Sequence, residues 1–339
     1  MIKIKNIRIS NNSKTFIIAE ACENHLGSMK KAFKMIDKSK ECGADAVKFQ
    51  HHIPDEEMLK KVPKSKNFKK NLYEFLKKNS LKINQHIELK KYCDKKKIIY
   101  LCTPFSYIAA SEINSLVPFF KIGSGELLDH PTLIKISKFN KPMILSTGMS
   151  TEKEITETYN ILKNSNKLIL MHCVSEYPPV YKDLNIGYIK TMKKKFPKAI
   201  IGYSDHTNEI YSSLVAVAYG SKVIEKHVTL DQSIDCPDRD VSINFDQLKE
   251  LVLSIRKIEN SLGSEKKIHK LEKPIRDWAH RSVVTIDKIK KGEKFTTKNL
   301  ATKRPGTGIA AKSLKNILGK KSNKSLNNDY LLSYKDIVS

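Results

Sequence analysis

Arginine is scarce in this chain, and long apolar runs and paired cysteines are missing altogether. Only six of the 62 basic residues are arginines (Arg8, Arg239, Arg256, Arg276, Arg281 and Arg304), although the 339 residues carry a formal net charge of +26. Nucleic-acid readers favour arginine for bidentate contacts to bases and phosphates, interleaved with stacking aromatics. The lysines fall instead on the polar faces of helical patterns. In SMKKAFKMIDKSKECG, Met29, Phe33 and Ile36 mark an apolar stripe that Lys30, Lys31, Lys34 and Lys38 mostly avoid. A solvated lysine coat accounts for the charge, and no nucleic-acid partner is expected. The field would still help draw in an anionic substrate. No segment approaches the ~18 continuous apolar residues of a membrane span, so no membrane partner is expected either. The opening MIKIKNIRIS is charged at alternate positions and lacks the apolar region of a secretory signal. The cysteines, at 22, 42, 93, 102, 173 and 236, form no CxxC pair, and several sit in apolar runs such as IIYLCTP and LILMHCV. Buried thiols in a reducing cytoplasm are the expectation, with no disulfide scaffold and no zinc ribbon.

What the chain does have is an alternation. Runs rich in Ile, Leu, Val or Phe at 15–21, 46–50, 98–104, 119–125, 142–148, 168–174, 199–206 and 223–229 read as strands. Amphipathic stretches at 28–42, 84–97, 106–116, 131–139, 151–164, 185–196, 208–219 and 244–262 read as helices, with Pro131 and Thr151 marking starts. Eight strands, each followed by a helix within about 250 residues, predict an α/β fold, the (β/α)8 TIM barrel. A doubly wound open sheet usually has fewer strands and often a Gly-rich phosphate loop after the first, which is absent here. The one long insertion, 51–83, follows the second strand and reads as a loop covering the active site. The barrel is assigned to 1–263, a charged linker of helical character to 264–281, and a small, mainly β domain to 282–339.

The stretch IGYSDHT, 201–207, contains the three residue types of a hydrolytic triad, Ser204, Asp205 and His206. A triad needs side chains converging from separate parts of a fold. Consecutive residues on an extended chain point to alternate faces, so a hydrolase is excluded. In a barrel the C-terminal ends of the strands face the active site. Those positions hold Glu20; Lys48 and Gln50; Thr103; Lys121 and Ser124; Ser146 and Thr147; His172, with Ser175 and Tyr177 just beyond; Ser204, Asp205 and His206; Glu225 and His227. Buried lysines are costly unless paired. Lys48 and Lys121, with Thr103, Ser124 and Ser146, would make a cationic, hydroxyl-lined pocket for a phosphate. The alternative is that each lysine snorkels or pairs with a barrel glutamate. His206 and His227 end adjacent strands and would face one cation, zinc or manganese, with Glu20 completing the shell or acting through a water. Otherwise they are satisfied rim residues. His51 and His52 are poorer ligands, because neighbouring side chains point apart. Asp238, in DRD, would hydrogen-bond a polyhydroxylated substrate or belong to a surface turn. YSDHT thus reads as a strand end delivering a hydroxyl, a carboxylate and an imidazole to the barrel mouth.

IIAEACENHLGS, GADAVKFQ, CTPFS, KIGSGE, ILSTGM, HCVSEYP, GYSDHT, EKHVT and KRPGTG, in this order, resemble the bacterial sialic acid (N-acetylneuraminate) synthase family, legionaminic acid synthases included. The resemblance runs over nearly the whole chain. It implies a barrel followed by an antifreeze-like SAF domain (a β-clip) and a domain-swapped homodimer. It also implies a metal-dependent transferase that forms a carbon–carbon bond between phosphoenolpyruvate (PEP) and an open-chain N-acetylated amino sugar. With N-acetylmannosamine the products would be N-acetylneuraminate and phosphate, released by C–O cleavage of PEP. Lys48, Thr103, Lys121, Ser124, Ser146, Ser175 and Ser204 would hold PEP. Gln50, Tyr177, Asp205, Asp238 and Arg304 would address the sugar, Arg304 from the partner subunit. Glu20, His206 and His227 would be catalytic, the two histidines holding a divalent metal, manganese or else magnesium or cobalt. The chain departs from the family around the sugar: Leu26 interrupts the usual NHNG, His51 stands where threonine is common, and Ser175 where some members have asparagine. FQHHIPDEEM is more similar to members using 2,4-diacetamido-2,4,6-trideoxymannose, the legionaminic acid precursor, so the sugar stays open. A carbohydrate- or nucleic-acid-binding protein with a disused barrel is the competing class. It has no need of the metal and PEP groups together.

Overall fold

The N-terminal alternation of apolar and basic residues forms a hairpin. Strand β1 (Ile2–Ile4) pairs antiparallel with β2 (Ile7–Ile9), Ile2 opposite Ile9. In this computed structural model, residues 1–4, 7–61, 71–233, 236 and 238–338 are described. They fall into two compact units, 1–263 and 264–339.

Eight strands make the sheet of the first unit: β3 (Phe16–Glu20), β4 (Ala46–His51), β5 (Ile99–Pro104), β6 (Phe120–Ile122), β7 (Met143–Ser146), β8 (Leu168–His172), β9 (Ala199–Asp205) and β10 (Val223–His227). All pair in parallel, in the order β5-β4-β3-β10-β9-β8-β7-β6, and the end strands β5 and β6 lie alongside each other. A helix follows each strand, so this is the expected barrel, a ring whose ladder is uninterrupted except between β5 and β6. Helix boundaries follow local chemistry. Ser28 caps Met29–Glu41 through the Lys31 amide, and Thr151 and Glu154 form a reciprocal capping box on Glu152–Leu162.

The strands are buried on both faces, which is why they read as nearly continuous apolar runs rather than alternating ones. One set of positions, including Phe16, Ile18, Ala46, Leu101, Ile144, Ile169 and Val223, fills the barrel interior. Ile2, Ile4 and Ile9 join that cluster beside residues that begin strands, so the hairpin seals the N-terminal end. The alternate set, such as Ile17, Val47, Phe49, Tyr100 and Leu145, packs against the helices. Sealing one end leaves polar groups for the other.

The insertion after β4 is partly helical, with Pro54–Glu57 and Leu72–Asn79. The remainder of that expected covering loop, 62–70, lies outside the described residues. The second unit carries an antiparallel pair, β11 (Ser282–Thr285) with β12 (Leu300–Lys303), over a core that includes Val283, Phe295, Leu300, Ile317 and Leu332. The helix Glu272–Ala279 precedes it.

Gly202 marks where the interior is tightest. A Cβ there would run into Met171 Sδ and come within 2.9 Å of the Val223 carbonyl oxygen. Gly202→Ala should therefore destabilise by about 1–3 kcal/mol through overpacking. Urea denaturation followed by circular dichroism would read this, and an unchanged midpoint would contradict a tightly packed interior at Gly202.

Candidate active site

Parallel registry brings the polar strand ends to one level. Glu20 is registered with Lys48 on one side and His227 on the other; Gln50 with Thr103; Ser204 with Glu225. Because side chains alternate along a strand, Ser204 and His206 face inward together, as do Glu225 and His227. These groups, with Glu23, His52, Phe105, Lys121, Ser124, Glu126, Ser146, Ser175, Tyr177 and Asp238, line a cavity of about 460 Å³. Met58, Leu72, Phe75 and Leu76, from the insertion, form an apolar part of its wall.

Alternation of charge organises the cavity. Lys48 Nζ lies 2.8 Å from Glu20 and 3.7 Å from Glu225, and donates to Thr103 Oγ1 at 2.8 Å. Lys121 Nζ lies 3.3 Å from Glu225 and donates to Ser146 Oγ at 2.9 Å. Both lysines therefore pair with barrel glutamates while still lining the cavity, so the two alternatives raised by their sequence positions hold at once. Ser204 Oγ donates to Glu225 at 3.0 Å, and Gln50 Nε2 to Glu20 at 3.0 Å. Burial pushes Glu20 up to about 7; Lys48 pulls against this and Glu225 adds to it. Burial opposes ionisation of Glu225 as well, but Lys121 and Lys48 outweigh it and hold that carboxyl down at about 2. The two carboxylates thus differ in role: one stays ionised and anchors the lysines, the other changes charge near neutrality.

His206 and His227 stand with ring centroids 5.4 Å apart, and Tyr177 stacks on His206 at 4.4 Å. Burial lowers both imidazoles, that of His227 well below its ordinary value, so both are neutral at pH 7. His206 Nδ1 donates to the Val174 carbonyl at 2.7 Å, which leaves its Nε2 lone pair facing the Tyr177 hydroxyl at 3.3 Å. His227 Nδ1 is buried without a hydrogen-bond partner. Neutral rings, one with an orphaned buried nitrogen, fit the coordination of a divalent cation.

Strand parity also removes some expected residues. Asp205, expected to address the sugar, faces away from the cavity. It is fully buried against Lys226 at 3.3 Å and accepts from Ser212 and Ser213 at 2.6 Å each and from Thr207. Its registered partner on β10 is that same Lys226, so both lie on the outer face of the strand. YSDHT delivers a hydroxyl and an imidazole, not a carboxylate, to the mouth. His172 and Thr147 likewise turn outward, His172 to the Leu184 carbonyl at 2.8 Å and Thr147 to the Met171 carbonyl at 3.0 Å. Arg304 belongs to the second unit, where its guanidinium stacks on Trp278 at 4.7 Å and its Nε donates to the Ala279 carbonyl at 3.1 Å.

Three other groups share the wall: Glu225, expected at a strand end but given no task, His52, expected only as a poor ligand, and Glu23, which the sequence did not single out. Glu225 sits two residues before His227, so the period of two was enough to place it inward. Glu23 keeps both carboxyl oxygens buried without a hydrogen bond; burial pushes it well above the usual carboxyl range. His52 stacks on Phe105 at 4.1 Å and bridges Gln50 and Glu57 at 3.0 Å each.

The chain matches the NeuB family over residues 35–267 and the SAF domain over 280–338. It is 40% identical to the N,N'-diacetyllegionaminic acid synthase of Campylobacter jejuni, over 94% of this chain and 99% of that one. It is 39% identical to an uncharacterised protein of Methanocaldococcus jannaschii, over 99% and 98%. A solved N-acetylneuraminic acid synthetase from Leptospira borgpetersenii, in complex with citrate, superposes with a TM-score of 0.73 at 32% identity, over 81% of this chain and 94% of that one.

Glu225→Gln should leave Lys48 and Lys121 sharing one buried carboxylate and cost about 3 kcal/mol at pH 7. The sign follows from its depressed value. Its contribution is complete above the ordinary 4.5 and is lost as pH falls towards about 2. Urea denaturation of wild type and variant should show a gap that narrows from pH 7 to acid pH. A gap that stays constant would contradict an ionised Glu225.

Proposed function

The chain belongs to the NeuB family, and we propose from that premise that it is a nonulosonic acid synthase. It would condense PEP with an open-chain N-acetylated amino sugar. The observation carrying this reading is the pair of cavity lysines, each bonded to a hydroxyl and paired with a buried carboxylate, beside two neutral imidazoles.

Lys48 and Lys121, with Thr103, Ser124, Ser146, Ser175 and Ser204, would hold the phosphate and carboxylate of PEP. An incoming anion takes over charge that Glu20 and Glu225 now share, so the site is assembled before substrate arrives. Gln50, Tyr177 and Asp238 would address the sugar. A divalent cation at His206 and His227, manganese or else magnesium or cobalt, would polarise the sugar aldehyde as a Lewis acid. The methylene carbon of PEP bonds to the aldehyde carbon, whose oxygen is left as an alkoxide. Water adds at C2 of the former PEP, and ionised Glu20 accepts its proton and passes it to that alkoxide. The C2–O bond to phosphate then breaks, the proton of the C2 hydroxyl leaves with the inorganic phosphate, and a keto acid remains. The apolar insertion wall would keep bulk water out while this happens.

Two sugars fit the family. The apolar wall of Met58, Leu72, Phe75 and Leu76 supports 2,4-diacetamido-2,4,6-trideoxymannose, whose terminal methyl it suits, over N-acetylmannosamine with its terminal hydroxyl. The similarity to a legionaminic acid synthase points the same way. Arg304 would reach the site of a partner subunit in a homodimer and contact an acyl group there.

Phosphate release from PEP with manganese, comparing the two sugars against a chelated control, tests this directly. Faster release with the diacetamido sugar is expected. Faster release with N-acetylmannosamine would make the chain an N-acetylneuraminate synthase, and no release with any acylated mannosamine would overturn the reading. With Glu20 as the base, kcat/KM should rise with pH and level off above about 7. A profile flat between pH 5.5 and 8.5, in the presence of metal, would take that role from Glu20.

A further inference from the structure

His227 also belongs to a second convergence of donors. Cys22 Sγ, a ring nitrogen of His227 and a carboxylate oxygen of Asp238 all lie within 4.8 Å of one another. Among the described residues this is the one group of three or more such donors that comes so close together, and His206 is not part of it. Cys22 is completely buried, and the Asp238 carboxylate lies in hydrogen-bonding contact with its thiol. That contact gives the Cys22 thiol and the Asp238 carboxylate a partner in each other. It leaves His227 Nδ1 sealed in the wall with no partner. Unpaired buried nitrogens are uncommon, and a bound ion is one way such a group is satisfied.

A divalent cation would satisfy all three groups. Burial disfavours an ionised thiol beside an ionised carboxylate, because two like charges repel strongly out of water. A doubly charged ion cancels both, and the neutral imidazole adds a lone pair without adding charge. Sulfur changes which ion is preferred: thiolate with imidazole suits zinc or cobalt, whereas manganese and magnesium favour oxygen donors.

We propose that Cys22 is a thiolate ligand which, with His227 and Asp238, binds a borderline-soft divalent cation of the zinc and cobalt type. The inference rests on the metal reading of this cavity and extends its ligand set beyond the two histidines. On binding, the Cys22 S–H bond breaks, its proton passes to solvent, and the sulfur electron pair bonds the metal. No oxidation or reduction is involved.

Cobalt(II) reports sulfur ligation by itself. The full-length protein, stripped of metal, is titrated with Co2+ and followed by absorption. The expected result is a thiolate-to-cobalt charge-transfer band in the near ultraviolet that saturates together with the visible d–d bands. Cys22→Ser should lose the near-ultraviolet band and bind Co2+ roughly tenfold or more weakly, since loss of even outer-shell groups costs that much. Asp238→Asn should keep the band and bind more weakly, which guards against a Cys22→Ser protein that fails to fold. Cobalt bound with d–d bands but no thiolate band in the wild type would overturn the proposal. So would a band that survives Cys22→Ser, or no cobalt binding at all. Metal-dependent phosphate release without a thiolate band would remove this inference and leave the synthase reading standing. A thiolate band without phosphate release from any sugar would do the reverse.

Discussion

Two lysine side chains pointing into a barrel constrain most of what surrounds them. An ammonium group taken out of water is several kcal/mol too high in energy unless opposite charge and acceptors meet it. Lys48 and Lys121 are met by Glu20, Glu225, Thr103 and Ser146. Such a cluster contributes little net stability compared with a hydrophobic core of equal volume. It does provide a site whose charges stay fixed while a ligand changes the balance between them. Glu225 stays ionised because it lies between both lysines, and Glu20 titrates near neutral pH because burial outweighs the one lysine paired with it.

The same arithmetic recurs outside the cavity with the opposite consequence. Asp205 and Lys226 also form a buried ion pair, but Ser212, Ser213 and Thr207 use up the remaining lone pairs and donors, Lys226 bonding the Thr207 carbonyl as well. Nothing is left to offer a ligand, and that pair serves the fold. The difference between a structural and a reactive ion pair here is the number of unsatisfied atoms. The cavity retains them, on Glu23 and His227; the outer pair does not.

Enclosure comes from the two ends of the barrel being treated differently. The N-terminal hairpin fills one end with isoleucines, and the insertion after β4 places leucines and a phenylalanine over the other. Between them the polar groups sit in reduced dielectric, where each charge acts more strongly on a substrate than it would in water.

Much of this is legible in the residues alone. Apolar runs at regular spacing predicted all eight strands, because a strand buried on both faces has little choice but Ile, Leu, Val and Phe. The same runs made their few polar members conspicuous: Glu20, Lys48, Lys121, His206 and His227. Three things were not legible. The hairpin was too short to stand out, and Asp205 looked like its neighbours because parity within a strand end depends on knowing which face is the interior. Which carboxylate keeps its proton was also decided only in three dimensions. Sequence determines which groups exist and how they alternate along a strand. Their distances across strands, and hence the sign and size of each electrostatic effect, depend on registry and closure, and those are set by packing between residues far apart in the chain.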